Sequence, residues 1–236
     1  MRAQVLVDSK DFQDALKDYN AALRVTPGDN KVAQARLLAG RALAWEGLSE
    51  WRAALTDYDA SLANARDAGR LPDPYVLNSR GNAHASLGQW KEAREDYLRS
   101  ADGFQAASGF RGRRGSTTMR LDGAVFAASN AALMLAELEE APSAAVREMQ
   151  KVARRAPGSA DMRAALAALY WAQGDEAAAE GEWNTACDRI TAGCAQYQDA
   201  DWLRRIRRWP PRMVARMQAF LAMRSSQEAA ASPGAV

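Results

Sequence analysis

Tyr19, Tyr58 and Tyr97 stand 39 residues apart, twice over. The same step relates Ala15, Ala54 and Ala93; Asp18, Asp57 and Asp96; and Ala22, Ser61 and Ser100. Farther upstream it relates Arg2-Ala3, Arg41-Ala42 and Arg80-Gly81. A fixed period of this length marks a chain of stacked supersecondary units, each burying its apolar face against its neighbours. Few β-branched residues and an abundance of Ala and Arg favour helix over strand within each unit.

The clearest unit runs from Leu77 to Ala101, LNSRGNAHASLGQWKEAREDYLRSA. It reads as a helix from Leu77 to Leu87, a turn at Gly88-Gln89, and a second helix from Trp90 to about Ala101. Gly81 and Ala93 are small where two helices approach closely, and Trp90 and Tyr97 wedge between them. The connections Pro27–Gln34 and Ala65–Pro74 collect Pro, Gly, Asp and Asn, which are loop residues. The first unit is incomplete, with a full second helix from Phe12 to Val25 but only Arg2 to Asp8 as its mate. Either the chain is a processed or trimmed form of a longer one, the expectation favoured because half a pair exposes Leu6 and Phe12, or a short helix caps this end.

Beyond Ala101 the pattern breaks. Gly103 to Thr118 is rich in Gly, Ser and Arg and has no apolar period, so it is either a long loop or an extension of the preceding helix followed by a loop. A helix is expected from Leu121 to Leu138, with Thr118 or Asp122 as its cap, and its mate from Ser143 to Arg155. Another pair follows: Asp161 to Gln173, the turn Gly174-Asp175, and Glu176 to about Arg189. Pro210-Pro211 opens a last helix from Met213 to Met223, and Gln227 to Val236 is expected to fray.

These units resemble the tetratricopeptide repeat, a helix–turn–helix unit with a period of ~34 residues; the extra residues of the first units fall in their loops. The resemblance covers roughly Lys10 to Cys187. It implies an all-α, right-handed α-solenoid of about five helix pairs over residues 1–199, with a long Arg/Gly loop near 106–119. A basic capping segment at 200–224 and a flexible tail at 225–236 complete the expected organisation. The segments FRGRRGST, RLDGAVFAASNAALMLAEL, ARRAPGSADMRAALAALYW and ACDRITAGCAQYQDADWLRRIRRWPP resemble a plant and algal group of chloroplast proteins of this type, some thylakoid-associated. This second resemblance implies a plastid protein without its transit peptide, located at the thylakoid or in its lumen, that assembles or stabilises a larger complex.

Such arrays bind polypeptides on the concave surface lined by the first helix of each pair. Carried over position by position, the resemblance marks Arg36, Tyr75, Asn78, Asn82 and Trp171 as partner-binding. The carboxylate clamp of co-chaperones is not matched, because Asn78 stands where its lysine belongs and Ala42-Leu43 replaces the second Gly-Asn pair. In repeat three Arg80 replaces the usual Leu, and its head is expected to snorkel to the rim.

Other features carry charge. Arg111, Arg113 and Arg114, with Arg120, suit carboxylates, phosphates or anionic lipid heads, or simply solvate a loop. The Gly residues there are preceded by no strand and followed by no Gly-Lys-Ser/Thr, so they form no phosphate loop. In WLRRIRRW, a helix would place Trp202, Ile206 and Trp209 on one face and Arg204, Arg205, Arg207 and Arg208 around the other. That pattern fits a solenoid cap, an acidic partner, an anionic membrane surface or RNA. The net charge of +2 argues against nucleic acid as the main partner. RNA binding through the arginines stays the alternative to a protein-binding scaffold.

Cys187 and Cys194 either form one bridge in an oxidising compartment or remain free thiols in packed positions. His84, the single histidine, falls in a packed seam. No cofactor or metal set and no catalytic constellation emerges, so a non-enzymatic, soluble protein without a membrane span is expected.

Overall fold

The computed structural model describes residues 2–108, 117–138, 143–190 and 193–231. Described residues are helical or in turns, and the chain divides into two compact units, Met1–Ala127 and Ala128–Val236.

Unit 1 holds three helix hairpins: α1 (Arg2–Asp8) with α2 (Phe12–Val25), α3 (Lys31–Gly47) with α4 (Trp51–Asp67), and α5 (Pro74–Ser86) with α6 (Trp90–Ser108). The first part of α7 (Thr117–Leu138) also belongs to it. Each hairpin turns at a left-handed residue, and these turn residues keep the repeat step: Lys10 (φ 64°), Ser49 (φ 61°) and Gly88 (φ 74°). The next amide donates back to the last turn of the first helix, Asp11 N to Leu6 O, Glu50 N to Trp45 O and Gln89 N to His84 O, at 2.7 to 2.9 Å. This is the Schellman closure, which satisfies carbonyls a helix end would otherwise leave bare. Asn30 and Asp73 cap α3 and α5 by accepting from the amides of Ala33 and Tyr75.

The tyrosines of the repeat fill the seams. Tyr19, Tyr58 and Tyr97 are buried, and the alanines one turn earlier, Ala15, Ala54 and Ala93, are fully buried. A Cβ on Gly81 would come within 2.8 Å of the Tyr97 ring, so only glycine permits that approach. Each phenol also finds an acceptor: Gln4 for Tyr19, Glu46 for Tyr58 and Asn82 for Tyr97. Gln4 and Asn82 are repeat-equivalent; the position between them is Leu43, which has no acceptor, so Tyr58 turns to Glu46 instead. Ser61 and Ser100, also repeat-equivalent, both donate at 2.7 Å to a first-helix carbonyl, of Ala35 and Pro74 respectively.

Arg80 is partly buried, its guanidinium donating to both oxygens of the buried Asp96 and, at 2.6 Å, to the exposed Asp59 of the preceding hairpin, so the head is paired at the rim as well as within the seam. Arg41 repeats the arrangement on Asp57 and Asn20, and Arg2 pairs with Asp18.

Unit 2 contains the rest of α7, then α8 (Ser143–Arg155), α9 (Ala160–Ala172), α10 (Glu176–Asn184), α11 (Ala200–Arg205) and α12 (Pro211–Ala231). The α9–α10 hairpin uses the same turn, with Gly174 at φ 80° and Asp175 N donating to Tyr170 O. α9 is apolar around most of its circumference and correspondingly buried, from Met162 through Leu169. α10 ends in a π-helical turn, Thr185–Arg189.

Boundaries differ from expectation at four places. α6 runs to Ser108, past Ala101 and into the stretch expected as a loop near 106–119. α7 starts at Thr117, so Thr118 and Asp122 lie within the helix and do not cap it. α12 begins at Pro211 and runs to Ala231, several residues longer than its apolar pattern indicates. The segment Trp202 to Trp209 is not one helix. α11 stops at Arg205, Arg208 adopts a left-handed φ of 59°, and the Pro210-Pro211 pair cannot continue the preceding turns. Trp209 is therefore buried while Ile206 points outward, 68% exposed, and the three residues share no face.

Candidate functional site

The first helices of unit 1 form one wall. Between α3, α5 and the α4–α5 connection lies an open cavity of about 420 Å³, reached also by Gln4 of α1. Arg36 and Tyr75 both line it, with Arg70 and Leu71 on the connection. Val32, Leu43 and Val76 supply its apolar surface.

Its polar groups divide into two kinds. Ser61 donates to the Ala35 carbonyl, and Asp73 is committed to capping the Tyr75 amide. The side chains of Arg36 and Arg70 are exposed and have no ion pair or hydrogen bond among the described residues. Tyr75 is 55% exposed, its ring held edge-on against Phe104 at 4.8 Å. The cavity thus offers two guanidiniums against the single carboxylate of Asp73, an ordered aromatic ring and an apolar wall.

Asn78 and Asn82 behave differently from each other. Asn82 accepts from Tyr97 at 2.8 Å and so belongs to the seam. The side-chain oxygen of Asn78 is buried and accepts no hydrogen bond among the described residues. His84 is half-buried, its Nδ1 2.7 Å from Gln89 Oε1, in the seam where the sequence places it.

Unit 2 has its first-helix surface covered by its own chain. Trp171 of α9 packs against the fully buried Phe220 of α12, ring centroids 6.4 Å apart. Arg207 donates Nε and Nη2 to the two oxygens of Asp161 at the start of α9, at 2.8 and 2.6 Å, and Nη1 to Asn130 of α7 at 2.8 Å. Trp209 Nε1 donates to Asp161 as well, at 3.1 Å. Arg207 is thereby an internal cross-link, whereas Arg204 and Arg205 stay exposed, touching Gln218 and Asp201. Arg208 is half-buried. Beside this cluster Tyr197 lies between Trp202 and Trp209, and burial, aided by the charge of Asp161, raises its phenol to a pKa of about 12.

Cys187 and Cys194 are joined in a disulfide that ties the π-helical turn to the residue before Ala195, Cα to Cα 4.6 Å. Arg111, Arg113 and Arg114 lie outside the described residues, as does the side chain of Arg120. Among the described residues no group of three or more His, Cys, Asp or Glu is placed to hold a metal ion, and no helix is long and apolar enough to cross a membrane.

The signal that sequence reasoning missed is Arg70. It sits in a loop, outside the first-helix positions that the repeat pattern marks, and only folding brings it beside Arg36.

No family model and no curated protein matches the chain. Solved structures do. YrrB, described as a TPR protein with an unusual peptide-binding site, superposes with a TM-score of 0.57 at 15% identity, covering 77% of this chain and 79% of its own. The TPR2AB domain of yeast Sti1, solved with pHSP90, aligns over 93% of this chain and 95% of its own at 16% identity, with a TM-score of 0.36. With the hairpin geometry above, the likeness to YrrB defines the class of fold: an all-α helical repeat of the tetratricopeptide type.

Proposed function

We propose that this protein is a non-enzymatic scaffold that holds a segment of a partner polypeptide against the first-helix face of unit 1. The observation that carries this reading is the open cavity at Arg36 and Tyr75. Its serine and aspartate are committed to backbone groups, and its uncommitted groups are two arginines, a tyrosine and aliphatic side chains. A preformed groove of that composition captures an extended or helical peptide at little ordering cost to the protein. The peptide-binding site named for YrrB is in keeping with it.

Within that reading, the partner is a subunit of a chloroplast thylakoid complex, and the protein assists its assembly or stability. The segments quoted above for their resemblance to chloroplast proteins support this. So does the Cys187–Cys194 bridge, which suits an oxidising compartment such as a lumen. RNA binding through the terminal arginines is the weaker reading, because Arg207 is spent on Asp161 and Asn130.

The test is a photo-crosslinking amino acid installed at Tyr75, with Lys17 of α2 as the control position, in a thylakoid extract. A partner polypeptide crosslinked from position 75 and not from 17 is expected. Equal labelling from both positions would remove the groove from consideration.

A further inference from the structure

Unit 2 shows what a first-helix face of this chain receives. The segment that follows α11 lies across α7 and α9 and presents a cation and aromatic rings together. Arg207 reaches Asp161 and Asn130, Trp209 donates to the same aspartate, and Phe220 meets Trp171. Host and occupant have opposite charge at the anchoring position, with apolar side chains packed beside it.

The turns set a common register for the first helices. Thirteen residues before each left-handed turn residue lies the leading residue of the face: Arg36 before Ser49, Tyr75 before Gly88 and Asp161 before Gly174. Asp161, the acid that unit 2 uses to anchor its basic occupant, therefore corresponds to Arg36 and Tyr75 in unit 1. Sign and occupancy are both reversed there. Arg36 is joined by Arg70 at a cavity of about 420 Å³, and neither guanidinium has a partner among the described residues. Asp73, the acid among the lining residues, accepts the Tyr75 amide through Oδ1 and keeps its charge, so the lining carries two guanidiniums against one carboxylate.

We propose that the unit 1 groove takes a peptide of acidic and apolar character, in which an Asp or Glu adjoins a side chain of leucine or phenylalanine size. The carboxylate meets Arg36 and Arg70, whose planar donors match it. The apolar side chain enters between Val32, Leu43 and Val76 and leaves water. The inference rests on the scaffold reading above and adds the chemistry of the partner, by analogy with the segment that unit 2 already holds.

The experiment selects a random decapeptide library on the full-length chain, then measures the enriched peptides by fluorescence anisotropy. Enrichment of Asp or Glu next to Leu or Phe is expected. Exchanging that acid for Ser should weaken binding about tenfold, the scale of one charge-assisted contact. The double variant Arg36→Glu/Arg70→Glu should select Lys or Arg in its place with an unchanged melting temperature, since neither arginine holds the fold. Enriched peptides that are neutral or basic, lose affinity with Tyr75→Ala and ignore the Arg36/Arg70 reversal would overturn the acidic inference and leave the groove reading standing. A selection that enriches nothing, or peptides indifferent to all three positions, would overturn both.

Discussion

Arg80 and Asp96 face each other across the α5–α6 hairpin in a two-pronged contact, Nε to Oδ2 at 2.7 Å and Nη2 to Oδ1 at 2.6 Å. The carboxylate is 2% exposed, and the remaining guanidinium nitrogen reaches Asp59 of the hairpin before. The contact therefore fastens α5 to α6 and one hairpin to the previous one. Its effect on Arg80 is to hold the guanidinium charged even more firmly than usual, chiefly through the hydrogen bonds it donates to Asp96.

Removing Asp96 leaves the partly buried guanidinium with Asp59 as its one remaining acid among the described residues and with two donors unmet. Asp96→Ala is expected to cost about 3 kcal/mol in urea unfolding, by the usual scale for a broken buried pair. Arg80→Leu/Asp96→Leu should recover much of that loss, because buried ion pairs are often replaceable by apolar packing. The equivalent change at Asp18, whose partner Arg2 is 80% exposed on its side chain, should shift the melting temperature far less. Equal losses at the two ends would mean the pairs act through something other than burial.

The turn residues give a second test. Lys10, Ser49 and Gly88 share a left-handed backbone, and only the last is the residue that adopts it freely. A side chain in this region costs roughly 1–2 kcal/mol, part of which glycine returns through its greater unfolded-state freedom. Ser49→Gly should therefore stabilise by up to about 1 kcal/mol, and Gly88→Ala should destabilise by about the same amount. Space is not the issue at Gly88, since the nearest atom to an added Cβ is Trp90 at 3.9 Å.

Those turns also show what was legible in the sequence. The 39-residue columns locate the hairpins, the seam tyrosines and the alanines against them. They even contain the Arg80–Asp96 pair as two columns of opposite charge. The serine contacts of Ser61 and Ser100 left no trace because a backbone carbonyl has no sequence signature. The Arg207–Asp161 contact spans 46 residues and joins elements of different type, so no local period encodes it. A helical period carried through Trp209 puts that residue on the face of Trp202 and Ile206, whereas Pro210, which disfavours helical backbone in the residue before it, marks where the period ends. In the groove, Arg36 and Tyr75 follow from the repeat pattern, whereas Arg70 depends on how a loop returns.

Tyr197 makes unit 2 sensitive to alkali. Its phenol is held protonated to about pH 12 by burial and the nearby charge of Asp161, against ~10 in an unfolded chain. A pKa raised by folding means that the native state binds the proton more tightly. The stabilisation is complete below about pH 10, declines between about 10 and 12, and is gone above that. Tyr197→Phe should remove this slope. Wild-type stability should fall relative to the variant by about 2 kcal/mol across that interval, measured by urea titration at each pH. Parallel profiles for the two proteins would show that the phenol ionises in place.

Ala93 tests the register on which the whole repeat depends. It is fully buried, as are its equivalents Ala15 and Ala54, and lies one turn before the seam residue Tyr97. A close-packed interior has no room for an indole where a methyl sits, and overpacking of this kind forces the helices apart. Ala93→Trp should therefore cost at least about 3 kcal/mol, near the upper end of measured overpacking effects. The neighbouring Lys91 is exposed, and Lys91→Trp should change stability by less than about 0.5 kcal/mol, as surface substitutions do. Thermal melts of the two variants followed by circular dichroism separate the cases. If Ala93→Trp melted with the wild type, α6 would have to present a different face to α5, and the positions assigned to the groove would move with it.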